Sequence, residues 1–489
     1  MKKIFKFTLL ALFFGFVSCE DATDIIQESE LSEGAAYRNV DDLQSGLNGV
    51  YAAYSPDAGS NGAGYDAILF NDLFTDNIKR GASNSGQGNQ EYGFILQPLS
   101  DFPNTIWSNR YATINFANRV LRAWERIAPT VQGQDLIKAN QIKGQLLAIR
   151  ALAHFDLLEY FTPEYQNPSS PSIILMDFVP EITQVFPRST VGEAYTFIEN
   201  DLDEASEYLG SFNQGKFFIT QDVIKAIRTR EALVKGDYAL AETLSTELVA
   251  SHALAGPEEY FNMFKEDAQP AELIFSLSRR QGNNGIAALY YANEPNIDGS
   301  PFFEMSNELF NLYDADQDDI RFAVNVHETS EFVGTDSPDN VLLIGKYSGT
   351  VDGPTINDIK IFRSSEMQLI KAETQARAGR LAEAAASVRA LRIARSQTGT
   401  APSTTYNTLQ QALADILLER RKELAFEGHR YLDLKRIGAE AGENVSRNSV
   451  DCASFSAPCD LLSTDYRFTL PIPRSEVNAN PTIQQNPNY

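Results

Sequence analysis

Cysteine is scarce in this chain: three residues among 489, beside only four histidines. So few soft ligands leave little material for a zinc or iron–sulfur site, and no cofactor is expected. The histidines, at 154, 252, 327 and 429, stand far apart, with no catalytic or ligand spacing. Positive charge is short as well. Lys and Arg number 41 against 65 Asp and Glu, a formal net charge of −24. A surface of that sign repels phosphate backbones, so nucleic acid is not an expected partner. No long apolar run follows residue 17, and no spanning helix is expected beyond it. G-x-S-x-G, H-E-x-x-H and Walker sequences are missing too. What is present, 43% hydrophobic and 22% charged residues, is ordinary for a globular protein whose core needs no disulfide or metal staple.

The N-terminus reads as an address. Lys2, Lys3 and Lys6 precede an apolar stretch from Phe7 to Val17, too short for a spanning helix and typical of a secretory signal. Phe16-Val17-Ser18-Cys19 resembles a bacterial lipobox, with Phe16 in place of the usual Leu. The expected division is therefore a signal peptide over 1–18 and one mature domain over 19–489. Lipid on Cys19 would anchor an otherwise soluble protein to a membrane surface. Glu20, Asp21 and Asp24 resemble the acidic export tag of surface lipoproteins in Bacteroidota.

The rest is predominantly helical. Trp107, Tyr111, Ile114, Ala117, Leu121 and Trp124 form one apolar stripe and predict a helix over about 105–127, with both tryptophans in the core. Ile142, Leu146, Ile149 and Ala153 predict a second over about 135–161. A third, about 189–209, has Thr190 and Glu193 at capping-box spacing. Gly236-Asp237-Tyr238-Ala239-Leu240-Ala241 and Gly379-Arg380-Leu381-Ala382-Glu383-Ala384 each lie between two periodic segments. Both read as the turn and small-residue contact of a tetratricopeptide (TPR) hairpin. The final helices are expected at about 406–427 and 429–437. Residues 81–90, 251–272, 281–303, 329–358 and 438–466 show no periodicity and read as long loops, which in a compact protein are usually functional.

The segment Glu419-Arg420-Arg421-Lys422-Glu423-Leu424-Ala425-Phe426-Glu427-Gly428-His429-Arg430-Tyr431-Leu432-Asp433 resembles the C-terminal signature of the SusD/RagB family of outer-membrane nutrient-binding lipoproteins. Arg363-Ser364-Ser365-Glu366 with Leu369, Ile370, Ala372 and Glu373 is similar to a second block, and Trp107, Tyr111, Ile114, Ala117 and Asn118 to a third. Leu470-Pro471-Ile472-Pro473 and the closing Gln485-Asn486-Pro487-Asn488-Tyr489 complete the likeness, with Asn488 where Gly is usual. The resemblance implies an all-α fold. About four TPR-like pairs would form a right-handed superhelical frame, with long irregular loops and little strand packed on one side. It further implies glycan binding and a SusC-like TonB-dependent porin as partner. RagB-like members take peptides instead, and a surface glycoside hydrolase is a third reading.

The charged signature reads as structural: Glu423, Glu427 and Arg430 are spaced to share a helix side and pair. Asp314, Asp316, Asp318 and Asp319 suggest an EF-hand loop, but Asp319 occupies the glycine position and Asn325 the final glutamate. Cys452 and Cys459 are candidates for a short-loop disulfide. A glycan site needs flat apolar rings for C–H faces and planar polar groups for hydroxyls. With both tryptophans assigned to a core, the ring candidates are Tyr92, Phe94 and Phe102, and Tyr290, Tyr291, Phe302 and Phe303 in the middle loop. The net charge favours a neutral oligo- or polysaccharide.

Overall fold

The computed structural model describes residues 33–55, 65–280, 290, 301–350, 353–354 and 356–489. The signal segment and Cys19 lie outside the described residues, as does Tyr291.

Among the described residues the architecture is a stack of antiparallel helix pairs carrying irregular segments and four two-stranded sheets. Helix α1 (Val40–Tyr54) starts at Asn39, whose side chain accepts from the Asp41 and Asp42 amides, and buries Val40, Leu43, Leu47, Val50 and Tyr54. A short α2 (Tyr65–Leu73) follows, then strand β1 (Ile78–Arg80). The predicted Trp stripe lies on α3 (Asp101–Ile127), and the next periodic run forms α4 (Gln134–Phe161). Trp107 is buried, whereas Trp124 is half-buried under the Lys143 ammonium, 4.3 Å from its ring.

Helix α4 is buried without a break from Gly144 to Phe155, so it is central rather than amphipathic. Gly144 permits this. A Cβ there would lie 2.8 Å from Leu209 Cγ and 2.9 Å from Ala205 O, both on α5 (Val191–Leu209). The Thr190–Glu193 capping box opens α5 as its spacing predicts.

The two TPR-like turns are present. Gly236 (φ 90°) joins α6 (Gln221–Lys235) to α7 (Tyr238–Ser251). After α8 (Pro257–Lys265), β2 (Leu273–Leu277), β3 (Phe303–Met305), α9 (Asn307–Asp314) and β4 (Ile359–Arg363), Gly379 (φ 78°) joins α10 (Ser364–Arg377) to α11 (Leu381–Arg395). Positive φ carries no steric penalty for glycine, and the turn closes without strain. Pairs α1/α3, α4/α5, α6/α7 and α10/α11 pack in succession, with α7 against α10. Helix α8 falls inside a segment read as loop: Pro257 at its first turn and the Glu259 cap form a start signal that the surrounding irregularity obscures.

The charged signature turns inward. Helix α12 runs Leu409–Leu424, and the chain then breaks, with Phe426 (φ 65°) and Gly428 (φ 84°) left-handed. Glu423, Glu427 and Arg430 therefore do not share a helix side, and the pairing expected among them is corrected. Glu423 meets Arg363 (2.7 Å), Arg395 (2.8 Å) and Arg321 (3.3 Å), all buried. Glu427 meets Arg363 (2.7 Å) and Lys346 (2.6 Å), and Arg430 meets Asp76 (2.8 Å). Asp319, in the would-be calcium loop, faces Arg321 at 2.7 Å and Lys422 at 2.9 Å. These contacts bind α12 to β4, α11 and α2's trailing turn, and fix the frame on which the loops sit.

Candidate functional site

Strands β1 and β3 pair antiparallel, with Ile78 opposite Met305 and Arg80 opposite Phe303. This pairing brings together two segments that the sequence separates by more than two hundred residues. The contact continues past the strands: the Gly81 amide donates to Phe302 O (3.0 Å) and the Ser83 amide to Pro301 O (2.9 Å). Gly81 is needed for that approach, since a Cβ would sit 2.3 Å from Pro301 O.

The loop beyond Gly81 is folded on itself. Asn84 Nδ2 donates to Gln87 O at 3.0 Å, and Asn84 Oδ1 accepts from the Gly86 amide at 3.0 Å. The Arg80 guanidinium donates to Asn84 O (2.8 Å) and to Ser454 O (3.2 Å), and so ties this loop to a third segment. Ser85, Gln87, Asn89 and Gln90 remain exposed around it.

The third segment is the tip of α13 (Ser449–Phe455), where a Cys452–Cys459 disulfide closes a short loop. Phe455 stacks on Tyr92 with centroids 3.9 Å apart and planes at 24°. Arg447 supports the pair from within, 3.7 Å from the Tyr92 ring and 4.1 Å from Phe94. Its guanidinium donates to the carbonyls of Leu73, Thr75 and Tyr92, and burial lowers it to about 10.

Several ring candidates lie elsewhere than expected. Tyr92, Phe94 and Tyr290 are buried, and a ring with both faces covered offers no platform. Tyr290 donates its hydroxyl to Asp72 Oδ2 (3.1 Å) and meets Phe426 edge-on at 5.8 Å. Phe303 is also buried, in β3. Phe102 is half-buried against Phe70 (5.6 Å). Phe302 is half-buried beside the Gly81 turn. Arg80 and Phe455 were not singled out by sequence. The one signal for Phe455 is its place between two cysteines seven positions apart.

Around this pairing stand exposed side-chain amides, the half-buried Arg80, whose guanidinium lies 6.0 Å from the Phe455 ring, and the half-buried ring of Phe302. Such groups donate to and accept from hydroxyls and cover C–H surfaces. His154 takes a structural role. It is buried; its Nδ1 lies 2.8 Å from Arg150 O, its Nε2 accepts from the Met176 amide, and desolvation lowers it to about 3. Among the described residues no group of three or more His, Cys, Asp or Glu is placed to hold a metal.

The family model described as "SusD family" matches residues 343–489, and one described as "starch-binding associating with outer membrane" matches residues 26–222. The chain belongs to the SusD family. SusD-like protein P38 of Formosa agariphila is 24% identical over 96% of this chain and 96% of its own length. A SusD superfamily protein from Bacteroides thetaiotaomicron superposes with a TM-score of 0.76 at 25% identity, over 92% of this chain and all of that one. Surface glycan-binding protein A of the same species, solved with laminarihexaose, has a TM-score of 0.69 at 17% identity, over 92% of this chain and 99% of that one. This last likeness is one of fold. The TPR-like helix pairs described above are the shared SusD frame.

Proposed function

We propose that this SusD-family chain is a glycan-binding protein of the cell surface that performs no covalent chemistry. It is held at the outer membrane through lipidated Cys19, its 1–18 segment being a signal peptide and 19–489 one mature domain. It captures oligosaccharides and passes them to a SusC-like TonB-dependent transporter.

The observation that carries the reading is the face built by the β1–β3 pairing. It brings together the segments that carry Arg80, the exposed Gln87, Asn89 and Gln90, and the half-buried rings of Phe302 and Phe455. The family description, starch-binding and associated with the outer membrane, agrees in ligand class and location. The laminarihexaose complex shows that this frame can carry a glycan site in another protein. Among the described residues no helix is long and apolar enough to cross a membrane.

The test is affinity electrophoresis of the mature protein in gels containing laminarin, amylopectin, xylan or galactomannan, with reducing ends assayed in parallel. Retardation without new reducing ends is expected. Release of reducing ends would make the protein a hydrolase, and binding to a peptide digest alone would make it a peptide receptor. Phe455→Ala and Arg80→Ala should each weaken retardation by roughly tenfold in Kd, equivalent to about 1–2 kcal/mol.

A further inference from the structure

A second groove shares no lining residue with the β1–β3 face. It encloses about 630 Å³, a volume in the range of natural ligand clefts, ~300–1,000 Å³. Phe310 on α9, Phe322 on the helical turn Arg321–Asn325, Phe261 on α8 and Phe332 on the following arm line it. Phe332 stacks on Phe310 at 5.1 Å and 26°, and Phe322 meets Phe310 at 6.0 Å and 60°. Phe332 nevertheless keeps 44% of its surface exposed.

The arm that holds this ring is pinned. Bridges join Val326 to Ile344 and Glu331 to Val341. Asn340 accepts from the Val333 amide (2.8 Å) and donates to Asn307 Oδ1 (2.7 Å) and Gly334 O (2.8 Å). A large exposed ring costs solvation free energy, and a rigid mount for it is what a preorganised binding site requires.

The polar lining is of both signs. Lys265 donates to Gly345 O and to Ser348 Oγ (3.2 Å), with no carboxylate in ion-pair contact among the described residues. Desolvation pushes its ammonium down to about 8, against the pull of Glu328. Asp314, Glu328, His327 and Ser330 complete the rim. One cation, Lys265, stands against the carboxylates of Glu266, Asp314 and Glu328, and a rim of that balance repels a phosphate or a uronate.

We infer that this groove is a second binding site for a neutral saccharide, with the exposed ring of Phe332, backed by the buried Phe310, as platform and the polar rim as hydroxyl partners. The inference rests on the glycan-binding function proposed above. Two sites on one chain would raise the affinity for a polysaccharide above that for a short oligosaccharide, because the second contact becomes intramolecular.

The mature protein and its Phe332→Ala variant should be run in affinity gels with the same four neutral polysaccharides, and titrated calorimetrically with the hexasaccharide of whichever is bound. Phe332→Ala should lower polysaccharide affinity by about tenfold and reduce hexasaccharide stoichiometry from two to one, with an unchanged melting temperature. Glu328→Arg, at the exposed rim, obstructs the groove without touching the ring stack and should act alike. A stoichiometry of one with both variants at wild-type affinity overturns the second site and leaves the first intact. Binding of none of the four polysaccharides by the wild type overturns the function on which it rests. Phe332-dependent binding of a peptide digest, without glycan binding, overturns the saccharide assignment.

Discussion

Glu423→Gln should destabilise the protein by about 3–5 kcal/mol, the usual cost of removing one partner from a buried ion pair. The magnitude follows from its surroundings. Glu423 is fully buried, with one oxygen accepting from Arg363 and Arg395 and the other from Arg395 and Arg321. Glu272, also fully buried, accepts from Arg363 and Arg395 at 2.8 Å each. Arg321, Lys346, Arg363, Arg392, Arg395 and Lys422 thus face Glu272, Asp319, Asp415, Glu419, Glu423 and Glu427, a cluster balanced in charge. Glutamine keeps the volume but leaves one cation uncompensated and turns an N–H₂ toward guanidinium N–H groups. Desolvation pushes Glu423 up, but Arg395 and Arg363 overcome it and hold the carboxyl well below its usual range. A depressed folded pKa contributes stability above the unfolded value, about 4.3, and loses it as pH falls further. The gap between wild type and variant should therefore be constant from about pH 8 to 5 and narrow only in stronger acid. Urea unfolding followed by tryptophan fluorescence measures it, with equal slopes required of both proteins. A gap below about 1 kcal/mol, or one that widens on acidification, would refute the argument. Adding Arg395→Ala to the variant should recover part of the loss, since charge balance returns.

Three further outcomes are expected. Asp72 is fully desolvated, and its pKa rises to about 7 despite hydrogen bonds from Asn77 and Tyr290. Its stability contribution is complete below about pH 4 and lost as pH rises toward 7, so Asp72→Asn should gain up to about 4 kcal/mol over wild type at pH 8 in paired urea titrations. Gly379 has φ 78° and open space where a Cβ would stand, so Gly379→Ala should cost about 1 kcal/mol through the backbone alone, and Gly379→Asn less. An unchanged urea midpoint would remove the TPR-like turn from the argument. Cys452→Ser opens a loop with a sequence separation of seven. By chain entropy this should cost about 2–3 kcal/mol in thermal unfolding, and it should weaken glycan retardation if Phe455 belongs to the site.

The helices were legible because their signals are local. Apolar spacing on α3, the Thr190–Glu193 box and the glycines at 236 and 379 each act within a few residues, where backbone geometry decides the outcome. Two regions of the proposed site were legible too, as segments too irregular to be frame. Which rings in them face solvent was not. Tyr92 is covered by Phe455 and Arg447 from the far end of the chain, and Tyr290 by Phe426 and a hydrogen bond to Asp72. No pattern near residue 92 or 290 records those neighbours.

The same division holds for charge. The sequence by itself determined the helix pairs, their tight turns and an acidic total, all sums or short-range properties of the chain. Only the tertiary structure decided where each charge and ring ended. Two left-handed residues, Phe426 and Gly428, turn the chain away from the common helix side that the spacing of Glu423, Glu427 and Arg430 suggests. Glu427 and Arg430 are thereby aimed at partners from β4 and from the turn after α2. Burial is a property of what packs over a side chain, and in this protein those covering residues come from distant segments.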